Sequence, residues 1–439
     1  MEPTLYIVII ALALIGLPLF VVMALLAMVA FTYADTEIVA VAIKIYEISA
    51  QPMLLTIPLF TFAGYMMAES KSPQRMLRFA QASLGWLPGG VAIVSLVVCA
   101  FFTAFTGASG VTIIALGGLL YPILSKEGYQ DKFTLGLITT SGSLGLLFPP
   151  SLPIILYGLV AKVDIDLLFK AGIVPGIMVI AALSLYSIII GKKGAAAAAA
   201  AGPDTAIVEA EGEKIKVSHK FVWKDFLESF KGSFWELLLP VGVLVGIYGG
   251  YTTVSEAAAF TAFYVLVMEC FIYKDLHIIN DIPGTIKRSM TLVGAILLIL
   301  CCALGVTDYL VDEEIPMQLF EFIKQFIDSK LVFLIFLNIF LLMVGAMMDI
   351  FSAIMVVVPL ILPIAELYKV DAVHLAIIFL TNLSIGYITP PVGINLFISS
   401  FRFKKPITEV YKASFSFLLL MLVCLLIVTY VPALSLWFK

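Results

Sequence analysis

Two segments of this sequence place hydroxyl groups and consecutive prolines inside apolar surroundings. They are GLLFPPS, from Gly145 to Ser151, and YITPPVG, from Tyr387 to Gly393. Each proline removes a backbone donor and clashes with the preceding helical turn, so a proline pair opens a helix and frees carbonyl groups before it. Inside a membrane, such openings are tolerated only where protein or a water-filled cavity satisfies the freed groups. Both segments are therefore candidates for a binding site.

Two apolar runs are interrupted midway by small and polar residues. Gly90 to Leu124 is interrupted by FTGASG, and Leu331 to Leu367 is interrupted by GAMMDIFSA, which leaves two half-length apolar pieces in each run. Half-length pieces predict re-entrant helical hairpins, here called hairpin one and hairpin two. Hydroxyl groups at the tips and freed carbonyls at the openings are hard oxygen ligands of the kind that a sodium ion needs.

The N-termini of such half-helices offer a second kind of chemistry. Their unsatisfied amides and positive dipole ends attract negative charge, so an anionic substrate needs no buried arginine here. Ser109 and Asn395 are the side chains that we expect closest to that substrate. Plain helix packing is the competing interpretation for each hydroxyl group. Asp349, in the second interruption, suits a helix N-cap as well as it suits a functional role.

Composition defines the class of protein that carries these segments. Of the 439 residues, 62% are hydrophobic and 13% are charged, and the mean hydropathy is +1.10. These values are far from those of a soluble domain and predict an all-α polytopic membrane protein. The five cysteines lie in apolar stretches without ligand spacing, so we expect no disulfide framework, zinc site or other cofactor. The formal net charge of −4 gives no reason to expect nucleic acid as a partner.

The apolar segments suggest a division of the chain. We expect N-terminal scaffold helices in residues 1–88 and scaffold helices in 161–330, with a flexible cytoplasmic linker at 194–229. We expect residues 89–160 to form one half of a central unit, with hairpin one and a broken helix, and residues 331–401 to form the second half, with hairpin two and its broken helix. Residues 402–439 are a C-terminal scaffold helix. Met76 to Trp86 fits either an interfacial helix or part of a span.

Lysine and arginine in the short loops predict the orientation, because cytoplasmic loops carry an excess of both. Lys71, Arg75 and Arg78 precede hairpin one, whereas the acid-rich segment Asp308 to Glu314 lies on the opposite side. The predicted arrangement has an inside N-terminus and an outside C-terminus. Hairpin one then enters from the cytoplasm and hairpin two from the outside.

A repeat links the two halves. At an offset of 241 positions, six non-apolar residues of the first half find identical partners in the second. The pairs are Pro122 with Pro363, Thr140 with Thr381, Ser143 with Ser384, Gly145 with Gly386, Pro149 with Pro390 and Pro150 with Pro391. An odd number of crossings separates the copies, which predicts an inverted repeat. Inverted repeats with paired broken helices are typical of secondary transporters, whose sites lie where the discontinuities meet.

The sequence resembles the large membrane subunit of tripartite ATP-independent periplasmic (TRAP) transporters, the DctM family. The resemblance covers nearly the whole chain and is strongest at FTGASGVTIIALGG, GLLFPPSLPIILYG, WELLLPVGVLVGIYGGYTTVSEAAA, ITPPVGINLF and TYVPALSLW. It implies a sodium-coupled importer of organic acid anions in the bacterial inner membrane that works by an elevator mechanism. It also implies a periplasmic substrate-binding protein and a small membrane subunit, which we expect as a separate chain.

By this resemblance, the sodium sites fall where each hairpin tip meets its helix opening. The candidate sodium ligands are Thr106, Gly107, Ser109, Gly142, Gly145, Leu147, Met348, Asp349, Gly386 and Thr389. The candidate substrate-binding residues are Ser109, Thr112, Pro149, Pro150, Pro390, Pro391 and Asn395. The family pattern does not separate a C4-dicarboxylate from a sialic acid or a related carboxylate.

Two other functions compete with transport. GASG, from Gly107 to Gly110, fits the GxSG pattern of rhomboid intramembrane proteases, with Ser109 as nucleophile and His374 as the only histidine near an apolar run. A four-residue motif has a high false-positive rate. An ion channel is the second alternative, although channels rarely need two inverted hairpins.

Overall fold

The computed structural model describes residues 17–33, 52–87, 89–198, 205–210, 213–218 and 221–439, together with the single positions 9, 11, 43 and 46. The predicted span near Ile38 lies almost entirely outside this part of the chain. Among the described residues, seven helices are long and apolar enough to cross a membrane, or up to ten if each bent pair of helices is one span. The chain is therefore the all-α, multi-pass protein that the composition predicts.

The first half of the chain contains the elements up to the end of the long helix after the first opening. They are α1 (Leu19–Tyr33), α2 (Thr56–Glu69), α3 (Ser72–Leu84), α4 (Gly90–Thr106), α5 (Ser109–Lys126), α6 (Asp131–Ser141), α7 (Leu152–Ala161) and α8 (Ile165–Ala198), with short 3₁₀ turns at Pro52–Leu55 and Leu144–Leu147. Helices α4 and α5 form hairpin one, and α6 and α7 are the two parts of the first broken helix.

The second half follows a small antiparallel sheet. Its elements are β1 (Thr205–Ala210), β2 (Glu213–Ser218), α9 (Trp223–Gly232), α10 (Phe234–Tyr248), α11 (Val254–Val267, continued by a π-helical turn at Met268–Ile272), α12 (Ile282–Asp312), α13 (Ile315–Lys324), α14 (Lys330–Met347), α15 (Ile350–Leu367), α16 (Ala372–Gly386), α17 (Ile394–Phe403) and α18 (Ile407–Tyr430), with a 3₁₀ turn at Pro432–Leu434. Helices α14 and α15 form hairpin two, and α16 and α17 are the second broken helix.

The structure reproduces the repeat element by element. Hairpin one turns at 107–108 and hairpin two at 348–349, and the two broken helices begin at Asp131 and Ala372. After the proline pairs the register slips by one residue, so that Lys162 and Lys404 end α7 and α17 with the same left-handed backbone, at φ of 54° and 53°. Contacts are reciprocal, since α7 packs on α15 and α17 packs on α5. Reciprocal packing is what a two-fold relation between the halves produces.

Helix α3 contains most of Met76 to Trp86, for which the sequence left two interpretations open, and its place in the membrane stays a prediction. It is bent by 74° from α2, and α9 is likewise bent by 66° from α10. Both short helices have an apolar and a charged face, as interfacial helices do. Helix α3 follows α2, and α9 precedes α10. Helices α3 and α9 pack against each other.

The segment 194–229 contains regular structure where it is described. Helix α8 continues to Ala198, β1 pairs with β2 from Thr205 opposite Ser218 to Ala210 opposite Glu213, and α9 begins at Trp223. Strand β1 lies beside α5, and β2 lies beside α3. Residues 199–204, 211–212 and 219–220 fall outside the described part, and the role of the segment as a linker stays a prediction.

Candidate functional site

The two helix openings meet at the centre of the repeat. Ser143 Oγ donates to the carbonyl oxygen of Ser384 at 3.1 Å, and these two residues are equivalent at the offset of 241. Thr139 Oγ1 donates to Ser399 Oγ at 2.9 Å, and Asn395 Nδ2 donates to the Thr139 carbonyl at 3.2 Å. All five residues are buried. The openings therefore converge, as the repeat predicts, instead of lying on separate faces.

Hairpin one packs against the first opening through close backbone approaches. A Cβ atom on Gly145 would come within 2.2 Å of the Ala100 carbonyl oxygen and 2.4 Å of the Ala104 amide nitrogen, so only glycine fits. A Cβ atom on Gly142 would lie 3.2 Å from the Ser109 carbonyl oxygen. Ser109 at the tip and Gly142 at the opening, both candidate sodium ligands, are thus brought together.

The tip of hairpin one is a glycine turn. Gly107 has a φ of +63°, which L residues rarely adopt, and a side chain there would also meet Leu152 of α7. Thr106, Ser109 and Thr112 are buried beside this turn. Helix α5 begins at Ser109, and its N-cap residue Ala108 supplies no side-chain hydrogen bond.

Thr103 is a polar contact at this site that the sequence did not single out. Its Oγ1 lies 2.9 Å from the Gly142 carbonyl oxygen and 2.8 Å from Thr112 Oγ1, and so joins both arms of hairpin one to the opening. A hydroxyl inside an apolar run, about one turn before its interruption, was the available signal. The Leu147 carbonyl, a candidate ligand, lies close to Gly172 of α8, and its role as a ligand stays a prediction.

Hairpin two is held to the second opening by different groups. The amide of Ile350 donates to the Tyr387 hydroxyl at 2.8 Å, and the amide of Gly393 donates to the Ala346 carbonyl at 3.0 Å. A Cβ atom on Gly386 would come within 2.4 Å of the carbonyl carbon of Gly345. Tyr387 was another residue missed from sequence, although it directly precedes the ITPP motif.

Asp349 occupies the tip of hairpin two as an N-cap. Its Oδ1 accepts from the amides of Phe351 and Ser352, each at 3.0 Å, and Ser352 Oγ donates to Oδ2. The contacts of Asp349 are therefore those of a helix N-cap. A sodium-binding role for Asp349 and its neighbour Met348 stays a prediction. Thr389 Oγ1 donates to the Ile385 carbonyl at 2.8 Å, which leaves the oxygen lone pairs for a further partner.

The site contains buried oxygen atoms of the kind that a hard cation binds. Asn395 Oδ1 and Thr140 Oγ1 are buried and have no hydrogen-bond partner among the described residues. No lysine or arginine belongs to the buried side chains of the described chain. An anion bound here would have to be balanced by helix N-termini or by a bound cation.

The two proline pairs differ in exposure. Each contains a cis peptide bond. Pro149 and Pro150 are half-buried and buried, whereas Pro390 and Pro391 are exposed. The carbonyl of Pro391 accepts from the Tyr411 hydroxyl at 2.7 Å, which ties the second opening to α18.

The ring nitrogens of His374 contact residues other than Ser109. Its Nδ1 lies 2.6 Å from Ser435 Oγ, and its Nε2 lies 3.2 Å from the Thr429 carbonyl oxygen. Both ring nitrogens thus face the C-terminal segment of the described chain and neither contacts Ser109. The serine–base pair that a protease needs is not formed.

An ion network at the α3–α10–α11 junction was also missed from sequence. Arg75 pairs with Glu236, Glu269 and Asp275, and Ser72 Oγ lies 3.1 Å from both glutamates. The side chains of Glu236 and Glu269 are fully buried. Acids inside the apolar runs WELLLP and VMEC were the available signal, because such residues are expensive in a membrane.

Comparison with known proteins identifies the family. The profile of the tripartite ATP-independent periplasmic transporter, DctM component, matches residues 6–434. The chain belongs to this family. The family is a transporter component of the bacterial inner membrane and is not an enzyme. Its large permease works with a small permease and a periplasmic binding protein.

Individual relatives agree with this assignment, and a solved structure has the same fold. The C4-dicarboxylate TRAP transporter large permease protein DctM of Pseudomonas aeruginosa is 32% identical over 93% of this chain and 91% of its own length. The isethionate TRAP transporter permease protein DctMQ of Oleidesulfovibrio alaskensis is 34% identical over 88% of this chain, which spans 58% of that relative. The YdaH transporter of Alcanivorax borkumensis shares the fold, with a TM-score of 0.56 at 14% identity over 87% of this chain and 84% of that one.

Proposed function

We propose that this DctM protein carries out sodium-coupled import of an organic acid anion, delivered by a periplasmic substrate-binding protein, through an elevator motion of its two hairpin units. The observation that carries the proposal is the contact between Ser143 and Ser384, where the two helix openings meet at the centre of the repeat. The substrate is a C4-dicarboxylate, a sialic acid or a related carboxylate. The dicarboxylate relative makes that class the first to test.

Each hairpin unit contributes one sodium site in this proposal. The first lies between Thr106, Gly107 and Ser109 at the tip and Gly142, Gly145 and Leu147 at the opening. The second lies between Met348 and Asp349 at the tip and Gly386 and Thr389 at the opening. Hydroxyl and carbonyl oxygens dominate both sets, and the close approach of Gly142 to Ser109 supports the first.

The substrate anion lies between the openings, beside Ser109, Thr112, Asn395 and the two proline pairs. The uncapped N-terminus of α5 supports this placement, because its amides and dipole favour a carboxylate. The buried, unpartnered Oδ1 of Asn395 supplies an acceptor for a substrate hydroxyl or for a coupled cation. Bound sodium ions add positive charge at a site where the described residues bury no arginine or lysine.

The test is uptake into proteoliposomes that contain this chain and its small membrane subunit, with the binding protein loaded with labelled succinate outside. We expect accumulation driven by an inward sodium gradient and abolished when potassium replaces sodium. Equal uptake without a sodium gradient would favour a channel and overturn the coupling. Co-purification of the small subunit as a separate polypeptide tests the proposed partner.

Thr389→Leu tests the second sodium site. The substitution removes the hydroxyl next to the proline pair, so the sodium concentration for half-maximal uptake should rise by roughly tenfold, the effect of about one lost hydrogen-bonding ligand. Thr291→Leu, at an exposed position on α12, is the matched control and should not change it. An unchanged sodium dependence of Thr389→Leu would remove this residue from the site.

A further inference from the structure

Helix α9 carries an apolar stripe that the described part of the chain covers only in part. Its members recur at the three- and four-residue spacing of one helix face, with charged residues elsewhere on the helix. The stripe consists of Trp223, Phe226, Leu227 and Phe230. No residue of α9 is buried, and the exposed fraction of Trp223 is 62%. A contiguous apolar surface of this kind marks a contact with lipid or with another protein.

The aromatic rings of α9 form a continuous ladder. Successive ring centroids from Phe221 through Trp223, Phe226 and Phe230 to Phe234 lie between 5.4 and 6.2 Å apart. Phe79 of α3 packs on Phe226 and Phe230 at 5.9 and 6.0 Å. Helices α3 and α9 therefore form one unit, here called the interfacial platform.

The exposed stripe continues without a break onto the apolar helix α10, which follows α9 after the 66° bend. Phe234, Leu238, Val241 and Val245 are exposed along one side of α10, and the first of them stacks on Phe230. A spanning helix of an inner-membrane protein presents such a side to acyl chains. Because the two surfaces are continuous, the same apolar phase that covers α10 extends to α9.

The ion network fixes the position of the platform relative to helix α10. Ser233, at the bend between α9 and α10, donates to the Arg75 carbonyl at 2.9 Å, and the Arg75 side chain holds Glu236 one turn into α10. Lys71 and Arg78 of the same region belong to the loops that the charge pattern assigns to the cytoplasm. Charged groups and aromatic rings at the end of a span are the composition of the bilayer–water interface.

We propose that the interfacial platform binds the cytoplasmic leaflet, with Trp223, Leu227 and Phe234 inserted at the boundary between headgroups and acyl chains. Lys224 and Lys231 then lie at the level of the headgroups. The platform anchors the bend between α9 and α10. Its occupant is lipid, and a helix of the small membrane subunit is the alternative that the experiment must distinguish.

The experiment measures quenching of Trp223 by brominated phosphatidylcholine in proteoliposomes. The full chain has four tryptophans, so the probe is the variant that keeps Trp223 and replaces Trp86, Trp235 and Trp437 by phenylalanine. Lipid brominated near the headgroup should remove about half of the Trp223 emission, and lipid brominated near the methyl end should remove much less, as for a shallow interfacial helix. Aqueous iodide should have little effect.

Two further variants control the result. Leu227→Glu on the apolar stripe should weaken lipid quenching, whereas Glu228→Lys outside the stripe should leave it unchanged. If the triple replacement does not fold, the difference in quenching between the original chain and Trp223→Phe gives the same quantity. Iodide quenching without lipid quenching would overturn the proposal. Loss of lipid quenching when the small subunit is added would overturn it in favour of a protein contact.

Discussion

The two hairpin tips have a similar backbone course but begin their returning helices with different N-cap residues. Ala108 precedes α5 and caps nothing with its side chain, whereas Asp349, its equivalent in the repeat, precedes α15 and accepts two amide hydrogen bonds. A carboxylate at a helix N-terminus compensates the positive end of the dipole. The N-terminus of α5 is therefore available to an anionic ligand, and that of α15 already has an anion. The two hairpin tips are thus similar in backbone structure but different in electrostatics.

The same contrast extends beyond the tips. The first proline pair is covered by neighbouring helices and the second is exposed, and α7 is far more buried than α17. The helices that precede the hairpins differ too. Arg75, the fourth residue of α3, ties that helix to buried acids, whereas the fourth residue of α13 is Gln318, whose amide donates to the Glu313 carbonyl at 3.0 Å. The helix before hairpin one is thus fixed by charge, and the helix before hairpin two has no such network among the described residues.

The largest expected effect comes from removing the charge that distinguishes α3 from α13. Arg75→Gln leaves Glu236 and Glu269 buried without their guanidinium partner, which should lower the free energy of unfolding by about 3–5 kcal/mol. Thermal denaturation in detergent measures the loss. Gln318→Ala is the matched change in the other half and should alter stability little. Equal effects of the two substitutions would contradict the contrast.

The next effect concerns a feature that the halves share. Gly145→Ala forces a methyl group against the backbone of α4 and should cost about 1–3 kcal/mol while sharply reducing uptake. Gly386→Ala should behave alike, because it faces Gly345 in the same way. Gly242→Ala is the control, since a Cβ atom there meets nothing within 4 Å. Full transport by Gly145→Ala would show that the close approach is not needed.

Ala108→Asp transfers the cap of hairpin two to hairpin one. The new carboxylate should cap α5 without loss of stability, yet repel the substrate anion and reduce its uptake by about tenfold or more. Ala108→Asn offers the same hydrogen bond without charge and should retain most uptake. Labelled-substrate uptake and melting temperature are measured together. Similar uptake by both variants would argue against an anion at this helix end.

The smallest effect is expected from the reverse change. Asp349→Ala removes the N-cap of α15 and should lower stability by about 1 kcal/mol. Asp349→Asn keeps a capping oxygen and should restore most of that loss. A large rise in the half-saturating sodium concentration in both variants would instead identify Asp349 as a sodium ligand, because neither retains the charge.

Much of the fold followed from short-range patterns in the sequence. Apolar runs with interruptions predicted the two hairpins, the proline pairs predicted the openings, and six spaced identities predicted the repeat. Each depends on the backbone rules of proline and glycine or on the length of an apolar segment, which act within a few residues. The candidate ligands at the tips and openings were chosen from the same rules, and their roles remain predictions.

Tertiary structure alone decided which side chains meet. Arg75 lies 161 and 194 residues from Glu236 and Glu269, and nothing local marks them as partners. Thr103, Tyr387 and the contact between Ser143 and Ser384 likewise arise from helix packing. The sequence by itself determined where helices start, open and turn, because those are local costs. The two halves of the repeat differ in which positions are capped, buried or charged. These differences depend on residues from distant segments, because side-chain packing depends on which surfaces meet and not on spacing along the chain.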